Sequence, residues 1–186
     1  MRRPRIFLDA NILVDAQIRD IFFTIAEARL IDLRWSDEVL NETRNVLTNQ
    51  RGIEPSRVDY LISTINAAFP KSNVAAAKIT LLPVALPDAD DLHVLYAAVN
   101  ADCDLLVTNN LRDFPDGAVA PFGLSALNAD SAIAMLVQDF SERMPAIISR
   151  LLSELRNPPI SVQEFLDRLK QRTPTAAQAL SAALKG

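Results

Sequence analysis

In the first 125 residues, short apolar runs alternate with longer stretches of helical period, and this alternation constrains the fold more than any other feature. RIFLD at 5–9 reads as a short buried strand, and IDLRW at 31–35 alternates apolar and polar residues as a second. KITLLPVA at 78–85 reads as a third, with Pro83 marking an end or an edge. DLLVT at 104–108 reads as a fourth, and VAPF at 119–122 as a short fifth. Helices fill the intervals. One starts at Asn11 and runs to about Ala28. A second follows Ser36 as N-cap, with Asp37 and Glu38 in its first turn and Val39, Val46 and Leu47 on one stripe. Gly52 lies close to its stop. A third opens at Pro55 and ends at Pro70, and a fourth spans 90–101. This order predicts right-handed βαβ units in an α/β fold, a parallel sheet with helices on both faces.

From about Asn128 the pattern is helical only, over 129–155, 161–171 and 174–185, punctuated by Asn157-Pro158-Pro159 and Thr173-Pro174. The division expected is residues 1–125 as an α/β domain and 126–186 as a C-terminal helical region that docks on it. Hydrophobic residues make up 49% of the 186-residue chain, enough for a sizeable core. One cysteine and one histidine exclude an internal disulfide and argue against a Cys/His zinc site. Cys103, in an apolar stretch, reads as a small core residue. No apolar run reaches membrane-spanning length, and the opening MRRPRIFLDA is not a secretory signal, so a cytoplasmic location is expected.

The net charge of −4 argues against broad electrostatic attraction to nucleic acid. Its distribution is more informative. Seven aspartates and a single cation, Arg112, lie between Asp88 and Asp116. In an open parallel sheet, ligands bind beyond the carboxyl ends of the strands. The first strand ends in Asp9, followed by Ala10 and Asn11. The fourth ends in Thr108, followed by Asn109, Asn110 and soon Asp113. The helix entering the fourth strand begins with Asp90 and Asp91, and the helix after the second carries Glu42 about two turns in. Like charges this close raise each other's pKa and cannot all stay ionised unpaired. A divalent cation removes that conflict, and oxygen-only donors suit Mg²⁺ or Mn²⁺. One-ion and two-ion versions both fit.

Each residue also has a plainer reading. Asp9 can cap the helix near Asn11, and Asp90 and Asp91 can cap theirs. Glu42 and Asp113 can be solvated surface acids. Thr108 and Asn110 can be turn hydrogen bonders. His93 sits two residues from Asp91, and helical spacing points it away, to the surface or behind the site. Trp35 reads as core rather than as a platform for stacked bases.

Four segments, in order, resemble the motifs of PIN-domain nucleases. These are FLDANILVD at 7–15, SDEVLNE at 36–42, DDLHVLYAA at 90–98 and LLVTNNLRDF at 105–114. The resemblance covers about residues 5–125 and implies a Rossmann-like α/β/α sandwich with Mg²⁺- or Mn²⁺-dependent endoribonuclease activity. By position it makes Asp9, Glu42 and Asp91 the main acids and Asp113 the fourth, with Asp9, Asp91 and Asp113 on the metal. Asn11, Thr108 and Asn110 would orient these ligands from behind. Members often carry Asp where this chain has Asn110, which leaves Asp113 to replace it or three acids to suffice. Asp91 fits better than Asp90 because Val94 and Ala98 then fall at apolar offsets of three and seven. Many members are VapC-type toxins, so the resemblance also implies an RNA substrate, a cognate antitoxin that inserts a basic or bulky side chain into the acidic site, and a homodimer.

Rival readings fare worse. A haloacid-dehalogenase-like phosphatase needs a second Asp two residues after the first, where this chain has Asn11. A receiver domain needs paired acids after its first strand, and here the pair comes late. A non-catalytic PIN-like module that binds RNA or protein does not need the full set of acids.

Overall fold

The computed structural model describes residues 2–74, 84–155 and 158–185. Five parallel strands form one sheet in the order β3-β2-β1-β4-β5. The first, β1 (Arg5–Leu8), lies at its centre, with Ile6, Phe7 and Leu8 fully buried. Such continuous burial is what an inner strand covered on both faces requires. β2 (Asp32–Ser36) pairs with β1 through Ile6 opposite Leu33, and β3 (Asn73–Val74) extends that side. On the other side β4 (Leu105–Val107) pairs Phe7 with Leu106, and β5 (Ser125–Leu127) completes the sheet. The chain therefore winds outward from β1 in one direction and then returns to wind in the other. The crevice at that reversal opens between the carboxyl ends of β1 and β4, where doubly wound sheets place their ligands.

The helices expected from sequence are present, with corrections at their breaks. The single helix from Asn11 to Ala28 is two. α1 (Ala10–Leu13) follows Asp9, and α2 (Ala16–Glu27) restarts because the Asp15 carboxylate accepts from Ile18 N. α3 (Asp37–Asn45) is capped by Ser36, whose Oγ accepts from Val39 N at 3.2 Å. It runs into a π-helical turn at Val46–Gln50, with Val39 and Leu47 buried and Val46 half-buried. Gly52 follows at φ +66, a left-handed conformation that suits glycine and ends the helix. α4 (Pro55–Ala68) begins at Pro55 and stops before Pro70. A 3-10 turn at Ala89–Asp91 leads into α5 (Leu92–Asn100).

Two strand expectations need comment. Most of the segment 78–85 lies outside the described residues, and the third strand is the short β3 at Asn73–Val74. VAPF at 119–122 is not a strand. α6 (Asp116–Val119) and a 3-10 turn at Ala120–Phe122 occupy it, because Pro121 has no N–H for a ladder. The fifth strand comes three residues later, at β5.

The segment 129–155 is likewise two helices, α7 (Ala129–Asp139) and α8 (Met144–Glu154), separated by a 3-10 turn at Ser141–Arg143 and with Pro145 near the start of the second. α9 (Val162–Lys170) has a Ser161/Glu164 capping box, and α10 (Pro174–Ala183) starts on Pro174. These helices share the core of the sheet region. α8 packs on α2, and α10 packs on α7 and α9. Ile148, Leu151, Phe165 and Leu180 are buried in one cluster with Ile18, Phe22 and Ile25. Polar links reinforce the contact: Gln17 Nε2 donates to Phe165 O at 3.0 Å, and Arg150 pairs with Glu27 at 2.7 Å. Trp35 is fully buried beside Phe23 and Phe69, as expected for a core residue. Cys103 is buried and unbridged.

Candidate active site

Asp9 leaves the end of β1 at the crevice, only 6% exposed. A buried carboxylate needs donors, and it has three. Ala10 N donates to Oδ1 at 2.6 Å, which is the helix cap anticipated for it. Thr108 Oγ1 and Asn11 Nδ2 each donate to Oδ2 at 2.6 Å. Thr108 leaves the end of β4, and its hydroxyl also accepts from Asn11 Nδ2 and from Asn110 N, both at 3.1 Å. One donor and two acceptor positions exhaust what a hydroxyl can do, so its orientation is set. Asn11 Oδ1 in turn accepts from Asn109 N at 3.0 Å, which ties the loop after β4 to the loop after β1.

Glu42 lies on α3, half-exposed, and His93 Nε2 donates to its Oε1 at 2.8 Å. Of the two places expected for His93, the surface or behind the site, the contact with Glu42 fits the second. Its Nε2 is turned to Glu42, and its Nδ1 is buried. Spacing within one helix gave no signal for this, because α3 and α5 meet only in the folded chain.

Asp91 heads α5 and is partly buried, whereas Asp90 is exposed. The Asp91 carboxyl is pushed up to about 6. Burial is the main cause, followed by the charges of Asp9, Asp113 and Asp88, with His93 acting in the opposite sense. Asp113 is buried at the end of a 3-10 turn. Asn110 Nδ2 donates to its Oδ2, and Arg112 Nε lies 3.7 Å from its Oδ1. Asn110 Oδ1 also accepts from Arg112 Nε at 3.1 Å, so both ends of its amide are engaged.

The acids are thus electrostatically joined. Burial raises the pKa of Asp9, the bonds from Thr108 and Ala10 lower it, and the charge of Glu42 raises it again. The donor set is carboxylate, amide and hydroxyl oxygen, which fits Mg²⁺ or Mn²⁺. Asp9 keeps roughly one of its four lone-pair positions after three hydrogen bonds. Among the described residues no three of His, Cys, Asp and Glu stand close enough to hold an ion by themselves. Such a donor set would suit a hard divalent cation that keeps several waters and takes only one or two carboxylates directly.

Comparison with known proteins agrees with this geometry. The PIN-domain family model matches residues 5–112, more than half of the chain, and the model of the VapC50 C-terminal domain matches residues 129–182. A curated Mycobacterium tuberculosis protein named "Putative ribonuclease VapC50" is 33% identical over 87 residues, or 47% of this chain and 52% of that protein. The chain thus aligns with about half the length of that relative. No solved structure matches it. Among the described residues no helix is long and apolar enough to cross a membrane. The crevice between β1 and β4, the acids around it and the match over residues 5–112 lead to one conclusion: the chain belongs to the PIN-domain family.

Proposed function

We propose that this protein is a Mg²⁺- or Mn²⁺-dependent endoribonuclease that hydrolyses RNA phosphodiester bonds, and that it acts as the toxin of a toxin–antitoxin pair. The observation that carries the reading is Asp9, a buried carboxylate held at the sheet crevice by Thr108 and Asn11 and coupled to Glu42 and Asp91. The name of the tuberculosis relative supports ribonuclease activity in particular.

Asp9, Asp91 and Asp113 are the residues that would hold such an ion. A bound Mg²⁺ or Mn²⁺ supplies charge stabilisation at a phosphoryl oxygen and lowers the pKa of a coordinated water. Thr108 and Asn11 fix the Asp9 carboxylate, and Asn110 fixes that of Asp113, so these oxygens need not reorganise when substrate arrives. Glu42, more exposed than Asp9 or Asp113, is the acid placed to accept a proton from the attacking water. The acidic crevice attracts a basic side chain of a cognate antitoxin, and the protein works as a cytoplasmic homodimer.

Two variants test this reading. Asp9→Asn and Asp91→Asn each abolish metal-dependent RNA cleavage while circular dichroism reports an intact fold. Full activity in either variant overturns the proposal. A wild-type protein that neither binds Mn²⁺ by calorimetry nor cuts RNA at any metal concentration is a binding module instead.

A further inference from the structure

We infer that His93 is the positioning residue of Glu42: through its Nε2–H it holds the Glu42 carboxylate in the acid ring. This rests on the reading of Glu42 as a working acid given above. Glu42 sits on α3 with its side chain 44% exposed, and a glutamate on a solvated helix face samples many rotamers. The contact that restrains it is the 2.8 Å hydrogen bond from His93 Nε2 to Oε1, which leaves Oε2 for the reaction.

The ring itself is constrained. His93 lies in the first turn of α5, the helix headed by Asp91, and its side chain is 24% exposed. Its Nδ1 is buried, with no hydrogen-bond partner among the described residues. Moving the hydrogen to Nδ1 would remove the donor from Glu42 and gain no partner for it among the described residues, so the bond to Glu42 selects the Nε2–H tautomer of the neutral ring. The bond also links two helices, so that Glu42 from α3 and Asp91 from α5 keep a fixed relation around Asp9. Because Nε2 is already engaged with a carboxylate, His93 acts on the reaction through Glu42 and not on the substrate.

A double-mutant cycle tests this. RNA cleavage rates and Mn²⁺ affinity are measured for wild type, Glu42→Ala, His93→Ala and the double variant. His93→Ala lowers kcat by about 10- to 100-fold, the usual cost of losing such an orienting partner, with KM little changed. In the Glu42→Ala background the same change costs nothing more. His93→Gln, whose amide nitrogen can still donate to Glu42, restores most of the rate, which also covers a His93→Ala variant that fails to fold. Additive losses, or a His93→Ala protein as active as wild type, overturn the inference. The chain has one histidine, so its ring nitrogens are unambiguous in ¹⁵N NMR. In metal-free protein at a pH where the ring is neutral, a slowly exchanging Nε2–H is expected, and it is lost in Glu42→Ala. If wild type shows no cleavage at all, the ribonuclease reading fails but this spectrum still decides the pair: an Nε2–H signal unchanged in Glu42→Ala overturns it.

Discussion

Thr108 Oγ1 donates to Asp9 Oδ2 at 2.6 Å across 99 residues of sequence, at the point where the sheet reverses its direction of winding. The same hydroxyl accepts from Asn11 Nδ2 and Asn110 N, so one side chain joins both strand ends and the loop that leads to Asp113. Thr108→Val keeps the shape and removes all three bonds. Its expected cost is about 1–3 kcal/mol in urea unfolding, the usual penalty for leaving buried polar groups unpaired. A Thr108→Val protein as stable as wild type would show that the hydroxyl does not organise the site.

Asp91 makes metal-free stability depend on pH. Its folded pKa is raised to about 6 from a reference of 3.8. A raised carboxyl pKa means that the folded state favours the protonated form. Its contribution is therefore fully present below about pH 4 and is lost as pH rises through about 6. In EDTA, the melting temperature of Asp91→Asn should fall less than that of wild type between these two pH values. Added Mn²⁺ should raise the wild-type melting temperature most at pH 7 and above, where the acids are ionised, and much less in Asp91→Asn.

Burial pushes the Cys103 thiol up to about 12. Only the thiolate is an effective nucleophile. Native protein at pH 8 should resist iodoacetamide and become alkylated once unfolded in guanidinium, as read by intact mass. Rapid native alkylation would contradict the burial of this residue.

Phe165 is 1% exposed and shares a core cluster with residues of α2, while Gln17 donates to its carbonyl. Phe165→Ala should cost about 3–5 kcal/mol, the range for truncating a buried phenylalanine. Because α8 packs on α2, unfolding should remain one transition in which far-ultraviolet circular dichroism and Trp35 fluorescence coincide. Two separate transitions would mean that residues 126–186 fold as an independent unit.

Much of this protein follows from local pattern. Alternating apolar runs and helical stretches specify a parallel sheet, because strand and helix periods are properties of neighbouring residues. The strand-end rule and four ordered motifs single out Asp9, Glu42, Asp91 and Asp113 from the sequence. Breaks were less legible. The Asp15 cap restarts a helix through a bond to Ile18 N that apolar periodicity does not reveal, whereas the turn at Pro121 follows from a residue the sequence displays. Partnership across the chain was decided by tertiary structure alone. α-Helical spacing over two residues predicts a turn of about 200° between Asp91 and His93, and spacing can say no more than that. What His93 turns towards is Glu42, on another helix, and Asn110 likewise proves to be a partner of Asp113. Sequence determined which residues carry charge at the strand ends. Only the folded chain decided which of them are held, and by what, because those hydrogen bonds join segments that only the closed sheet and its helices bring together.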